Sequence, residues 1–200
     1  MNNLFKFLCV ASVSILAFSS CTKTDNSYEE ELIRERERVD STLNAQKNSL
    51  KIFAEQNFNN PILDTATGIW WELLAPNENE TYEYKLANAG YLYVVPPTVK
   101  VIYKAELLSG AQVEGSLTPV EKIIGGGQGF PMAWQFAFYP KKLTYNSKEY
   151  PVGGFTAKGL KKGAKIRFVT SSVLAYDNVA KPNIPADSPL YYTIEITEIK

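Results

Sequence analysis

Hydrophobic and polar positions divide the chain into three stretches with different periods. A largely apolar run, Phe7 to Phe18, follows Lys6 near the start; it is too short to cross a bilayer as a permanent helix. From Ser27 to about Phe58, Tyr28, Leu32, Val39, Leu43, Leu50 and Phe53 recur at spacings that keep them on one face of a helix. Glu29 to Arg38 is densely charged with alternating sign and includes the i,i+4 pair Glu30–Arg34, while Asp40-Ser41-Thr42 offers a point at which the helix could be interrupted and restart. After Asn59-Asn60-Pro61 the period shortens to that of strands. Strands are predicted over Gly68–Leu74, Gly90–Val95, Thr98–Leu108, Val120–Ile124, Ile166–Thr170 and Leu190–Ile199. The stretch around Trp134 is amphipathic, and Tyr139 to Thr156, with Asn146-Ser147 and Gly153-Gly154 as turns, reads as a hairpin or flap.

Composition narrows the chemistry. The chain has 200 residues, 21 acidic and 21 basic, so no basic stripe argues for nucleic acid. It has no histidine, and its two cysteines are Cys9, inside the apolar run, and Cys21. Gly125-Gly126-Gly127 is followed by no lysine or serine of a phosphate cradle. Aromatic content is high, with 12 Tyr, 10 Phe and 3 Trp, which suits an apolar cleft with a polar rim. Ser19-Ser20-Cys21 resembles a bacterial lipobox, with Phe18 where leucine is usual. That resemblance implies a signal peptide over 1–20, acylation of Cys21, a tether over 21–27, and a lipid anchor in the cell envelope, on the periplasmic side of an outer membrane. Loss of Cys9 with the leader would leave no internal disulfide.

The last forty residues carry a more specific resemblance. Gly159-Leu160-Lys161-Lys162-Gly163 through Phe168, then Leu174-Ala175-Tyr176-Asp177, Ile184-Pro185 and Tyr192-Thr193-Ile194-Glu195-Ile196 follow one another as in the C-terminal half of an FKBP-type peptidyl-prolyl isomerase domain. Upstream, Val99 to Gly110 resembles the family's strand V-x-V-x-Y-x-G-x-L-x-x-G, with Ala105 in place of its glycine. The resemblance covers about residues 68–200. It implies an α+β fold, an FKBP-like antiparallel half-barrel sheet wrapped on a short helix opened by a tryptophan, which the N-terminal helix read from the apolar spacing precedes. The implied division is a helical segment over 28–60 and an FKBP-like domain over 61–200, with an inserted flap at about 139–156.

The resemblance also implies roles for individual residues. Tyr103, Trp134 and Tyr176 take the catalytic positions, with Trp134 as the pocket floor; Phe155, in Gly153-Gly154-Phe155, competes for that floor, and the spacing from Val113 favours Trp134. Val113, Glu114, Phe130, Ile184 and Tyr192 take substrate-binding positions. Three of them depart from the family pattern: Val113 and Glu114 stand where Phe and Asp are usual, and Tyr192 where Phe is common. Asp177 replaces the glycine after Tyr176, at a turn that Asp accepts.

The chemistry requires no cofactor or metal. Rotation about an X–Pro bond faces a barrier of about 18–20 kcal/mol because amide resonance is lost. The planar ground state is more dipolar than the twisted one, so an apolar pocket with a few donors on the flanking carbonyls binds the twisted form better. The expected partners are proline-containing polypeptides, the membrane through its anchor, and a second copy through the N-terminal helix. A competing expectation keeps the fold as a peptide- or partner-binding lipoprotein of low catalytic power. A third, sugar stacking on Trp70 and Trp71, is disfavoured because adjacent strand residues face opposite sides.

Overall fold

The computed structural model describes residues 27–78, 81–125 and 130–200. The signal-peptide and Cys21 expectations fall on residues 1–26, outside the described residues. A helix, α1 (Ser27–Asn57), precedes strands β1 (Ile62–Leu63), β2 (Trp70–Ala75), β3 (Leu86–Asn88), β4 (Leu92–Val94), β5 (Thr98–Leu107) and β6 (Gln112–Ile123). A short helix, α2 (Met132–Phe138), is followed by β7 (Lys142–Tyr145), β8 (Lys148–Pro151) and β9 (Lys165–Thr170). A 3-10 turn at Ser172–Leu174 leads to β10 (Leu190–Ile199). Six strands form one antiparallel sheet in the order β1-β2-β9-β10-β5-β6, while β3–β4 and β7–β8 are separate hairpins.

Strict alternation in the central strands gives the sheet two different faces. Val99, Val101, Tyr103 and Ala105 of β5 and Leu190, Tyr192, Ile194 and Ile196 of β10 are all buried on one side. Helix α2 lies against that side through Ala133, Trp134, Ala137 and Phe138, the i,i+3,i+4 face of a seven-residue helix. Pro131 stands at its N-terminus, where a missing N–H leaves no intrahelical bond unmade.

Helix α1 covers part of the opposite face, where Leu50, Ala54 and Phe58 pack with Val169 of β9 and with Tyr191, whose ring lies 5.2 Å from Phe53 and 5.9 Å from Phe58. Glu72, buried on this face, accepts hydrogen bonds from the N–H groups of Asn60 (2.9 Å) and Asn59 (3.3 Å) and from Arg167 Nε (2.6 Å). These contacts fix the turn that leaves α1.

Of the two alternatives at Asp40-Ser41-Thr42, an interruption or a continuous helix, the second holds: α1 runs unbroken through it. Arg38, just before that point, and Leu43 and Gln46, just after it, all reach the domain, so tertiary contacts hold the helical register. The apolar stripe splits: Leu50 is buried, but Tyr28 and Leu32 remain 68% and 51% exposed. The predicted flap is the β7–β8 hairpin. It is seated by Phe155 N–H on Phe136 O (2.9 Å) and by Gly154, where a Cβ would lie 1.6 Å from Tyr139 O.

Candidate active site

Trp134, on the sheet-facing side of α2, floors a cavity of about 80 Å³ lined by Tyr103, Glu114, Lys122, Phe130, Pro131, Tyr176 and Tyr192. Three aromatic rings meet its indole edge-on: Phe130 at 4.9 Å, Tyr103 at 5.2 Å and Tyr192 at 5.9 Å between centroids. These rings come from β5, β10 and the segment before α2, so strand alternation and the α2 face together build the box. Val113 and Ile184 line an adjoining cavity of about 390 Å³ that shares Glu114 and Tyr176 with the first. All eight residues expected at the pocket therefore converge on one cleft. Phe155 does not; it stacks on Trp71 at 5.5 Å with its ring nearly parallel, and meets Phe168 edge-on, inside the core.

The cleft is more polar than its aromatic walls suggest. Glu114 accepts a hydrogen bond from the Tyr103 hydroxyl on Oε1 (2.6 Å) and another from the Tyr176 hydroxyl on Oε2 (2.7 Å). A carboxylate at this point requires an irregular strand. The β5–β6 register shifts on both sides of Glu114, between Val101 and Tyr103 and between Ala105 and Glu106. Gly115, the next residue, brings β6 so close to β5 that a Cβ would meet Tyr103 O at 2.7 Å.

Burial, and then the hydrogen bond to Glu114, raise the Tyr103 and Tyr176 phenols above their ordinary value, so both stay O–H donors at neutral pH. Burial, with Tyr176, Glu114 and Tyr103 nearby, also pushes Tyr192 well up. Its hydroxyl and the Trp134 indole N–H are buried without a partner among the described residues. Lys122 Nζ lies 5.4 Å from the Tyr103 ring centre, and Lys181 Nζ lies 5.3 Å from that of Tyr176, so an ammonium group stands at each end of the cleft.

Lys122, Pro131 and Lys181 also line the cleft but were not expected there from the sequence. Pro131 had a usable signal, because a proline three residues before the floor tryptophan removes a main-chain donor at the cleft edge. A larger cavity of about 590 Å³ lies elsewhere, between α1 and the β1–β2 turn. It lacks the convergence of aromatic faces and hydroxyl donors, so the smaller cleft is the better candidate.

Comparison with known proteins agrees with this geometry. Over 105 residues, 52% of this chain, the sequence is 29% identical to the FKBP-type peptidyl-prolyl cis-trans isomerase FkpA of Escherichia coli K12. In sequence the chain is thus similar to an FKBP-type peptidyl-prolyl isomerase. The matched region spans 31% of that protein's length. No protein-family model matches. The fold is the FKBP fold. The crystal structure of Escherichia coli FkpA superposes with a TM-score of 0.51, covering 90% of this chain and 74% of that one at 21% identity. A peptidyl-prolyl cis-trans isomerase of Pseudomonas syringae pv. tomato DC3000 gives a TM-score of 0.51, covering 79% and 96% at 18% identity. Among the described residues, no helix is long and apolar enough to cross a membrane.

Proposed function

We propose that this chain is a peptidyl-prolyl cis-trans isomerase, anchored to a membrane through Cys21, that acts on X–Pro bonds of exported proteins. The observation that carries the reading is the convergence of Tyr103, Trp134 and Tyr176 on one cleft in an FKBP fold. The prolyl ring enters against the Trp134 face, between Tyr103, Phe130 and Tyr192. The flanking carbonyl takes the Tyr176 hydroxyl from Glu114, while Val113 and Ile184 contact the neighbouring residues. The reaction requires no proton transfer: the walls favour the twisted, less dipolar amide, and the hydroxyl holds the carbonyl beside it. Residues 61–200 form the isomerase domain and 28–60 its helical appendage.

A protease-coupled proline-peptide assay tests the reading. Wild type accelerates isomerisation, while Tyr176→Phe and Trp134→Ala lose most of the acceleration. A wild-type rate equal to buffer would refute it. Incorporation of labelled palmitate, abolished in Cys21→Ala, tests the anchor and its placement in the envelope. Sedimentation with and without Leu32→Glu tests association through α1, whose Tyr28, Leu32 and Ile33 are exposed.

One observation favours a second reading, a peptide-binding protein of low catalytic power. Glu114 already occupies the Tyr176 hydroxyl. Equal affinity for peptides with and without proline would support that reading.

A further inference from the structure

The loop between Ser171 and Pro189 carries Tyr176 into the cleft and Ile184 over it, and α1 grips this loop at both ends and in the middle. Gln46 Oε1 accepts the Ser172 N–H at 2.9 Å, while Gln46 Nε2 donates to Ser172 Oγ at 3.0 Å and to Asp187 O at 2.9 Å. One amide side chain thus joins the beginning of the loop to its end. The 3-10 turn at Ser172–Leu174 has no side-chain cap from Ser171, so Gln46 supplies the missing acceptor from another element.

Two turns earlier on α1, about 12 Å along the axis, Arg38 donates from Nη1 to Asp177 Oδ1 at 3.0 Å and from Nη2 to Asp177 Oδ2 at 2.5 Å. Glu35 holds the same guanidinium from its other side, at 2.9 and 2.7 Å, and so presents the fork in register for a two-point contact. Asp177 has a left-handed backbone, φ 53°. Its N–H donates to Ser172 O at 2.7 Å and its carbonyl accepts from Asp187 N–H at 2.9 Å. Side chain and main chain of the residue next to Tyr176 are therefore both fixed, and the Tyr176 phenol crosses to Glu114 from that anchored point.

We propose that Arg38 and Gln46 of the N-terminal helix are positioning residues for the cleft: they hold the Ser171–Pro189 loop in the shape that presents the Tyr176 hydroxyl. The helix is then a working part of the binding site rather than a spacer. The consequence for turnover rests on the isomerase reading given above; the consequence for the loop does not.

The test uses the full chain with Arg38→Ala, Gln46→Ala, the double variant and Arg38→Lys. Arg34→Ala serves as a control, because among the described residues Arg34 pairs with the exposed Glu30 on the same helix and not with the loop. Amide hydrogen exchange is followed over 172–187 and over β9 and β10. Exchange in the loop is expected to rise about ten-fold in either alanine variant, the scale of a lost charge-assisted or cap hydrogen bond. β9 and β10 stay protected, Arg34→Ala changes nothing, and Arg38→Lys recovers part of the protection.

In the proline-peptide assay, kcat/KM falls about ten-fold in the double variant, but less than about two-fold when Tyr176→Phe is already present, because the two changes act through one hydroxyl. Unchanged loop exchange in the double variant overturns the proposal, as does an equal fall in both backgrounds. If the wild type does not isomerise, the functional reading falls, and the exchange measurement alone decides whether α1 positions the loop.

Discussion

Glu114 reaches across the cleft to accept the Tyr176 hydroxyl at 2.7 Å while its other oxygen holds Tyr103 at 2.6 Å. In the proposed reaction a peptide carbonyl displaces the first of these bonds to use Tyr176, and hydrogen bonds to charged groups contribute about 1.5–3 kcal/mol. Glu114→Asp shortens the side chain by one methylene, so that it keeps Tyr103 and releases Tyr176. The expected outcome is a rise of about three- to ten-fold in kcat/KM for a proline peptide. A fall in the same assay would mean that Glu114 helps to bind substrate rather than competing with it.

The Tyr192 hydroxyl is buried without a partner among the described residues. Tyr192→Phe removes an unmet polar group of a kind that costs about 1–3 kcal/mol, leaving the ring contacts in place. The variant should melt higher, by about 2–4 °C for each kcal/mol gained in a chain of this size. Thermal unfolding followed by circular dichroism gives the answer.

Burial alone would raise the Glu72 carboxyl, but the hydrogen bond from Arg167, the N–H groups of Asn60 and Asn59 and the Arg167 charge outweigh it and hold it below its ordinary value of 4.5. A folded value below the unfolded one adds stability that is complete well above pH 4.5 and is lost as the pH falls through and below it. Glu72→Gln leaves Arg167 partly unpaired. It should cost about 3–5 kcal/mol at neutral pH and flatten the acid limb of the stability curve. Urea unfolding at a series of pH values measures both effects.

Gly154 sits where a Cβ would lie 1.6 Å from the Tyr139 carbonyl oxygen. Gly154→Ala must push the β7–β8 hairpin off the end of α2, with loss of about 2 kcal/mol or more. Because α2 carries Trp134, substrate affinity should drop with stability. A second-site change restoring one without the other would separate the two effects.

Much of this fold was legible because burial follows simple periods. The alternation of β5 and β10, the α2 face around Trp134 and the two turns of the flap all recur in the structure near their expected positions. The Tyr103, Trp134 and Tyr176 convergence followed from motif order, since each sits on a regular element or a short anchored loop. Other features have no period to read. β1 is two residues long, and β6 is interrupted by Gly115 and Pro119, so its alternation fades. The contact of α1 with the Ser171–Pro189 loop rests on Arg38 and Gln46, polar residues that an amphipathic pattern assigns to solvent. The double grip of Glu114 depends on the β6 irregularity, where a one-methylene difference matters only once the strand's path is known.

The ammonium groups of Lys122 and Lys181 lie over aromatic faces at opposite ends of the cleft. On the isomerase reading proposed above, an unfolded stretch whose proline is flanked on both sides by aspartate or glutamate would be attracted before it touches the walls. The attraction reaches about one screening length, ~10 Å in moderate salt, so a preference for acidic over neutral flanks in a peptide series should strengthen as salt is lowered.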